Sequence, residues 1–274
     1  MKRIIIFKGG LGNQMFQYGM YTYQRHVMHR QVAYMYRENA HNGFELETFF
    51  HTDLNKATTT EKMFYWIAWR LYKYGICRRF VKYKTDDTDS QHAFFFNGHW
   101  QDRKYILHEG FNLSFKAIHL SQKNQAVAKA MAKGSSVAVH IRRGDYLLPQ
   151  NRKVFVLLGP DYYQQAIALC NQRVPQPVRY FFFSDDIGWA KENIAVENAA
   201  YIDWNTGSDS IYDMYLMTLT SANIIANSTF SFWGAFLNKK SLLTIYPEQW
   251  FVKGVSPNIF PDHWVAKSNS HEEE

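Results

Sequence analysis

The sequence predicts an α/β fold whose second half forms a parallel, Rossmann-like sheet. Short apolar runs recur along the chain, helical patterns separate them, and beyond about residue 135 three of the runs lead directly into polar residues. Strands that alternate with helices are typical of parallel sheets. The 274 residues suit one large domain or two of ordinary size. The organisation of the chain changes after about residue 135, so we expect an N-terminal domain over residues 1–134 and a C-terminal domain over residues 135–274.

The first half opens with a strand, a glycine turn and a helix. The pattern predicts a strand at 4–7, a helix over about 13–29 and a strand at 31–36. The segment at 61–84 is predicted to be helical with a break near Gly75, and it carries seven Lys or Arg and one Glu. Such a helix either lies on a membrane surface or packs on the protein with its cationic side chains extended along it.

The turn GGLGNQ at 9–14 is a candidate ligand-facing loop. Its glycines allow the backbone to approach a ligand closely, and its neutral side chains hydrogen-bond sugar hydroxyls or phosphate oxygens. The residues concerned are Gly10, Gly12, Asn13 and Gln14. The turn matches neither the GxGxxG fingerprint nor the P-loop. The alternative is a tight turn with an Asn N-cap.

The second half alternates clearly between strands and helices. Predicted strands are VAVH at 137–140, the run at 180–183, YIDW at 201–204, NIIAN at 223–227 and LLTIY at 242–246. Predicted helices cover about 161–170, 187–193, 213–221 and 228–238. Ligands of an open parallel sheet sit beyond the carboxyl ends of its strands. Polar clusters that follow three of these strands are therefore expected to face one site.

The three clusters have complementary chemistry. Their members are Arg142, Arg143 and Asp145; Ser184, Asp185 and Asp186; and Asn227, Ser228, Thr229 and Ser231. Arginines and a hydroxyl-rich helix start bind phosphate oxygens, whereas aspartates accept from a base or a ribose hydroxyl. Together the clusters predict a nucleotide diphosphate site. Single residues have structural alternatives: Arg143 and Asp145 form a salt bridge, Asp185 or Asp186 is a helix N-cap, and His140, which precedes the first cluster, is a core histidine.

Composition narrows the class of protein. The formal net charge of +7 favours acidic partners, but the basic residues form no nucleic-acid tract. Two distant cysteines indicate a reducing compartment and no disulfide framework. No apolar run is long enough for a signal peptide or a membrane span, so we expect a cytoplasmic protein with at most peripheral membrane association.

Four motifs together resemble glycosyltransferase family 11, the α-1,2-fucosyltransferases, in its bacterial form. They are GGLGNQMFQY at 9–18, HIRRGDY at 140–146, FFFSDD at 181–186 and NSTFSFWGAFL at 227–237, and the similarity spans essentially residues 1–250. The resemblance implies a GT-B-like architecture of two α/β domains facing across a cleft, with the donor held mainly by the second. It also implies GDP-L-fucose as donor, a galactose-terminated oligosaccharide as acceptor, inversion, and no required metal or other cofactor.

The resemblance also implies roles for the site residues. Arg142 contacts the donor β-phosphate, assisted by Arg143, and Asp145 either serves as base or orients Arg142. Asp185 or Asp186 contacts guanine, with His140 nearby. The segment from Asn227 places Ser228, Thr229 or Ser231 at phosphate and Phe230 against the base. The glycine turn faces the pyrophosphate and the fucose.

Several alternatives stay open from the sequence. Asp87 and Asp89 form a D-x-D pattern that some sugar transferases use to hold a metal, although such turns are usually just solvated. A nucleotide-sugar-binding protein without transferase activity and a nicotinamide-dependent oxidoreductase are the other functions considered. The missing GxGxxG counts against the oxidoreductase. The acceptor, including whether it is lipid-linked, and the oligomeric state are left open.

Overall fold

The computed structural model describes residues 2–37, 42–76, 80–83 and 93–269, except for the side chains at 82 and 83. The chain divides into two compact units, Met1–Ala117 and Ile118–Glu274. The expected boundary lay after residue 134. Residues 118–134, which include the helix Gln122–Met131, therefore belong to the second unit and not to the first. Within the described residues, no helix is both long and apolar enough to cross a membrane.

The first unit is built on a parallel four-stranded sheet with the order β2-β1-β5-β4. Its elements are β1 (Arg3–Phe7), α1 (Leu11–Thr22), β2 (Val32–Tyr36), α2 (Leu46–Phe49), β3 (Phe50–His51), α3 (Thr59–Lys73), β4 (Val81–Tyr83), β5 (Phe95–Asn97) and β6 (Ser114–Phe115). A π-helical turn, Tyr23–Val27, continues α1. Strands β3 and β6 form a small antiparallel pair. Ile4, Ile6 and Phe95 from the sheet pack with Tyr65 from α3 in the core.

The helix predicted through residue 84 is too long. Helix α3 ends at Lys73, and Val81–Tyr83 forms the edge strand β4 beside β5. Gly75 has a φ of +79°, a left-handed conformation that ends helices and favours glycine. Thr58 and Glu61 form a capping box that fixes the other end of the helix. Cys77 and the D-x-D pattern at 87–89 lie outside the described residues.

The second unit is a parallel six-stranded sheet with the order β12-β11-β10-β7-β8-β9. Its elements are α4 (Gln122–Met131), β7 (Ser135–Ile141), α5 (Pro149–Arg152), α6 (Pro160–Arg173), β8 (Val178–Ser184), α7 (Ile187–Asn193), β9 (Ala199–Ile202), α8 (Ser210–Met217), β10 (Ala222–Ile224), α9 (Thr229–Phe236), β11 (Leu243–Pro247) and β12 (Val265–Lys267). Counted from β7, the order across the sheet is 3-2-1-4-5-6, that of a Rossmann sheet.

Alternation along β7 and β8 builds the core of this unit. Val137, Val139 and Ile141 point to the same side as Tyr180 and Phe182, and all five are buried. His140, between Val139 and Ile141, therefore faces the other side of the sheet. The apolar runs end where the strands end, which leaves the next residues free to form turns.

Candidate active site

The polar clusters meet where the direction of the sheet reverses. Chain order runs outward from β7 through β8 to β9 and then resumes at β10 on the other side of β7. Such a switch point opens a crevice beyond the strand ends, because the connections leave in opposite directions. Residues 142–147 follow β7, residues 225–231 follow β10, and residues 185–186 follow β8. All three predicted clusters therefore lie at the carboxyl ends of neighbouring strands of the sheet.

The strand register sets Arg142 beside Asp185. Ile141 pairs with Ser184 across β7 and β8, so the next residues of the two strands are neighbours. Arg142 Nη1 lies 2.9 Å from Asp185 Oδ2, and Arg142 Nη2 lies 2.7 Å from Asp145 Oδ1. Two carboxylates therefore hold one guanidinium, whose side chain is still 34% exposed. A guanidinium has five N–H donors, so these contacts leave donors for a ligand.

Asp185 also holds the turn that follows β7. The backbone N–H of Arg143 donates to Asp185 Oδ1 at 2.8 Å. A Cβ at Gly144 would lie only 2.8 Å from Asp185 Oδ2, so only glycine allows the turn to pack this closely on the carboxylate. Both oxygens of Asp185 thus bind the Arg142–Gly144 turn.

Arg143 differs from its neighbour because it is buried. Its side chain is 9% exposed, its Cζ lies 4.0 Å from the centre of the Trp189 ring, and its Nε lies 3.6 Å from Asp186 Oδ2. Asp186 is the N-cap of α7 and accepts from the Trp189 backbone N–H at 3.1 Å. Arg143, Asp186 and Trp189 therefore form one packed group that attaches the β7 turn to α7.

His140 is buried next to Phe230. The two ring centres are 5.6 Å apart, and His140 Nδ1 has no hydrogen-bond partner among the described residues. Burial lowers the pKa of His140 to about 4; the Asp185 charge opposes this shift and the Arg142 charge adds to it. The ring is neutral near pH 7. A buried nitrogen without a partner is costly, which makes His140 Nδ1 a candidate contact for a ligand.

The segment after β10 divides into a buried anchor and an accessible helix start. Asn227 Nδ2 donates to the carbonyls of Val156 and Trp250, and Ser231 Oγ donates to those of Ala226 and Ser228. Ser228 is the N-cap of α9 but makes no side-chain capping bond, while Thr229 and Phe230 are half-buried. First-turn N–H groups at such an end bind anions.

In the first unit, the glycine turn is fixed by its own side chains. Gln14 is fully buried: Nε2 donates to the carbonyls of Gly9 and Gly43, and Oε1 accepts the N–H groups of Glu45 and Leu46. Gly10, not Asn13, is the N-cap of α1, so the Asn N-cap alternative is wrong. Asn13 Oδ1 accepts from Gln101 Nε2 at 3.0 Å. Gly10 and Asn13 are half-buried and Gly12 is buried.

The structure brings most of the predicted site residues together and adds three. One connected group contains Arg142, Arg143, Asp145, Asp185 and Asp186, and His140 meets Phe230. The additions are Gly144, Trp189 and Tyr146, whose hydroxyl donates to the carbonyl of Asn227 at 2.8 Å. Gly144 and Tyr146 stood inside the quoted motif, but only spatial contacts give them a role.

Comparisons with known proteins identify the family of the chain. The family model described as Glycosyl transferase family 11 matches residues 2–267. An α-1,2-colitosyltransferase of Escherichia coli is 30% identical over 280 residues, which cover 94% of this chain and 96% of that protein. Galactoside α-(1,2)-fucosyltransferase 1 of Homo sapiens is 29% identical over 182 residues, which cover 60% of this chain and 46% of that protein.

Solved structures share the fold at low sequence identity. Fucosyltransferase NodZ from Bradyrhizobium aligns with a TM-score of 0.50 at 13% identity, covering 86% of this chain and 94% of that chain. A family 9 glycosyl transferase from Veillonella parvula aligns with a TM-score of 0.52 at 10% identity, covering 100% and 88%. The expected α/β, GT-B-like fold class is confirmed. The chain belongs to glycosyl transferase family 11.

Proposed function

We propose that this protein transfers L-fucose from GDP-β-L-fucose to the 2-hydroxyl of a galactose-terminated glycan, with inversion and without a required metal. The bond between fucose C1 and the β-phosphate oxygen breaks, and a bond from the acceptor oxygen to C1 forms. GDP leaves with the bonding electron pair, and the acceptor hydroxyl gives up its proton. The observation that carries the proposal is Arg142, held by two carboxylates at the switch point of the second sheet.

Arg142 stabilises the leaving group. Negative charge builds on the β-phosphate as its bond to the sugar breaks, and a fixed guanidinium nearby lowers the energy of that state. Asp145 and Asp185 orient the guanidinium, because each contacts one of its terminal nitrogens. Asp145 is also the candidate base for the acceptor hydroxyl. A cation that neutralises the diphosphate supplies the charge that a divalent metal otherwise brings.

The remaining donor contacts follow from what each side chain has available. The uncapped start of α9 at Thr229 faces the phosphates through backbone N–H groups. Phe230 and the neutral His140 contact the base, since Phe230 is half-buried and His140 Nδ1 needs a partner. Asp185 and Asp186 act on the Arg142–Gly144 turn and on α7, where their oxygens are engaged. NodZ, which shares the fold, has been crystallised with GDP.

The glycine turn of the first unit offers backbone groups that can hydrogen-bond a sugar hydroxyl or a phosphate oxygen. Gly10 and Asn13 retain exposed surface for this contact, whereas the buried Gln14 holds the turn through its hydrogen bonds.

A glycan acceptor linked to a lipid would bring the enzyme to a membrane surface. The location we propose is therefore the cytoplasm, with peripheral attachment to the membrane.

Colitosyl transfer is the second candidate function. The Escherichia coli protein that matches nearly the whole chain bears that name. Colitose is fucose without the 3-hydroxyl, so one donor site can accept both sugars unless it hydrogen-bonds that hydroxyl. Rejection of the deoxy sugar would require a buried polar group that colitose leaves unpaired.

An assay of sugar transfer by the purified protein distinguishes the two candidate functions. It is incubated with labelled GDP-fucose or GDP-colitose, a panel of galactose-terminated oligosaccharides and EDTA, and the product linkage is read by NMR. Fucosylated product with an α-1,2 linkage in the presence of EDTA supports the proposal. If product forms from GDP-colitose and not from GDP-fucose, the protein is a colitosyltransferase and the first candidate is wrong. GDP binding without transfer to any acceptor means a nucleotide-sugar-binding protein instead.

A further inference from the structure

Helix α3 presents an apolar outer surface that the first unit leaves about half exposed. Four of its large apolar side chains are between 49% and 54% exposed: Met63, Phe64, Trp66 and Ile67. Just beyond the helix, Tyr74 and Ile76 are exposed as well. Isolated exposed apolar residues are normal, but a contiguous group marks an interaction site. We call these six residues the α3 patch.

The opposite side of the helix holds it in place. Tyr65 is fully buried, its ring stacks on Trp69 with centres 6.2 Å apart, and Trp69 stacks on Tyr72 at 5.3 Å. Asn97 Nδ2, at the end of β5, donates to the Tyr65 hydroxyl at 3.1 Å. A helix turns by about 100° per residue, so Met63, Ile67 and Tyr74 point away from these rings. Trp66 also contacts the unit, since its ring centre lies 5.3 Å from that of Tyr65 and 5.3 Å from Arg37 Cζ, yet about half of its surface is exposed.

Cations flank one side of the patch. Lys62, Arg70 and Lys73 are exposed, and Arg70 lies between Trp66 and Met63 on the helical wheel. The acidic residue of the helix, Glu61, is already engaged in the capping box and lies 3.5 Å from Lys2 Nζ. Within the described helix, the outer surface therefore combines large apolar side chains with positive charge only.

We propose that the α3 patch docks on an anionic phospholipid bilayer. Aromatic and aliphatic side chains enter the boundary between headgroups and acyl chains, while lysine and arginine pair with lipid phosphates above them. A second copy of the chain fits the same surface poorly. A two-fold interface would bring the positive charges of both copies, Lys62, Arg70 and Lys73, to one surface without an acidic partner on the described helix. The proposal is independent of the donor and acceptor chemistry argued above.

The test is flotation of the purified full-length chain with lipid vesicles. We expect binding to vesicles of phosphatidylglycerol and phosphatidylcholine, much weaker binding to phosphatidylcholine alone, and release by high salt. The double substitution Trp66→Ser with Ile67→Ser removes binding. Each single change among Lys62→Gln, Arg70→Gln and Lys73→Gln weakens it about five-fold at low salt.

Matched controls are Leu242→Ser and Val255→Ser, two exposed apolar residues of the second unit. These variants should bind vesicles like the unchanged chain, and circular dichroism checks that every variant is folded. Equal flotation of the Trp66/Ile67 variant and the unchanged chain overturns the proposal, as does absence of vesicle binding. If sedimentation instead shows a dimer that this variant dissociates, a second copy occupies the patch and the lipid proposal is wrong.

Discussion

Arg142 and Asp185 lie side by side because the residues before them, Ile141 and Ser184, pair across β7 and β8. Their contact is 2.9 Å long, and the Arg143 backbone N–H reaches the second oxygen of the same carboxylate at 2.8 Å. The cation is therefore positioned before any ligand binds. Preorganised charge needs no rearrangement when the leaving group departs. We expect turnover to depend on the orientation of Arg142 as well as on its charge.

Arg142→Ala should lower kcat for sugar transfer about 100- to 1000-fold, because the leaving group loses its fixed cation. Arg142→Lys keeps the charge but not the planar fork, so it should recover only part of the rate. The measurement is initial rate with labelled donor at saturation. Arg173→Ala, at the exposed end of α6, is the control and should leave kcat unchanged. Near-normal turnover in Arg142→Ala would remove the proposed role.

Asp185→Asn should lower kcat about five- to ten-fold, a loss of roughly 1 kcal/mol in transition-state stabilisation. The amide oxygen can still accept the Arg143 N–H, but the ionic contact with Arg142 is lost. Asp161→Asn, an exposed aspartate in the first turn of α6, is the matched control. A fall in affinity for GDP with unchanged kcat would indicate instead that Asp185 contacts the nucleotide.

Gly144→Ala should impair transfer because the new methyl group would meet Asp185 Oδ2 at 2.8 Å. Relief of this contact shifts the carboxylate that orients Arg142, at a stability cost of about 1–3 kcal/mol. Gly134→Ala is the control, since nothing lies within 4 Å of its added Cβ. Rates and urea unfolding are measured on both variants. Equal activity of the two variants would show that the close approach at Gly144 has no bearing on catalysis.

Arg143 and Trp189 should couple in stability rather than in chemistry. Arg143 is buried and lies 4.0 Å from the half-buried Trp189 ring, so a double-mutant cycle with Arg143→Ala and Trp189→Leu should give a coupling of about 0.5–2 kcal/mol in urea unfolding. The kcat of folded Arg143→Ala should fall less than that of Arg142→Ala. A coupling near zero with a full loss of kcat would place Arg143 on the donor instead.

His140 and Asp213 should give opposite pH dependences of stability. His140 has a folded pKa of about 4, below its ordinary 6.5, so the unfolded chain binds more protons and the fold loses stability as pH falls through this window. Burial raises the pKa of Asp213 to about 7 from 3.8, against the lowering effect of a hydrogen bond from Asn205. The fold then binds more protons, and stability falls as pH rises between these values.

The two contributions are separated by substitution. Between about pH 4 and about pH 6.5, His140→Gln should make the slope of unfolding free energy against pH more negative, and Asp213→Asn should make it more positive. Slopes are compared by urea unfolding, so a uniform loss of stability in either variant does not matter. Slope changes of the same sign would contradict the assignment.

The strands could be predicted because apolar runs are visible in the local sequence. The meeting of their polar ends follows from the general rule that ligands of a parallel sheet bind at the carboxyl ends of its strands. The expected segments correspond to β7, β8 and β10, and their ends do meet. Which aspartate oxygen contacts which arginine could not be predicted, because these contacts depend on the pairing of Ile141 with Ser184. The residue pattern alone does not distinguish Arg142 from Arg143, yet the first is accessible and the second packs on Trp189. Helix α3 was extended too far because Val81 forms a strand only through its partner Phe95.

Gln14 connects Gly9, Gly43 and the start of α2 through four hydrogen bonds in the interior of the first unit. Because these bonds already exist without ligand, the glycine turn has lost its conformational entropy during folding and not upon association. A molecule that contacts this turn therefore meets a rigid template, and its affinity is not diminished by loop ordering. Replacement of Gln14 should consequently lower the association rate of a ligand that contacts this turn and make its entropy of binding less favourable.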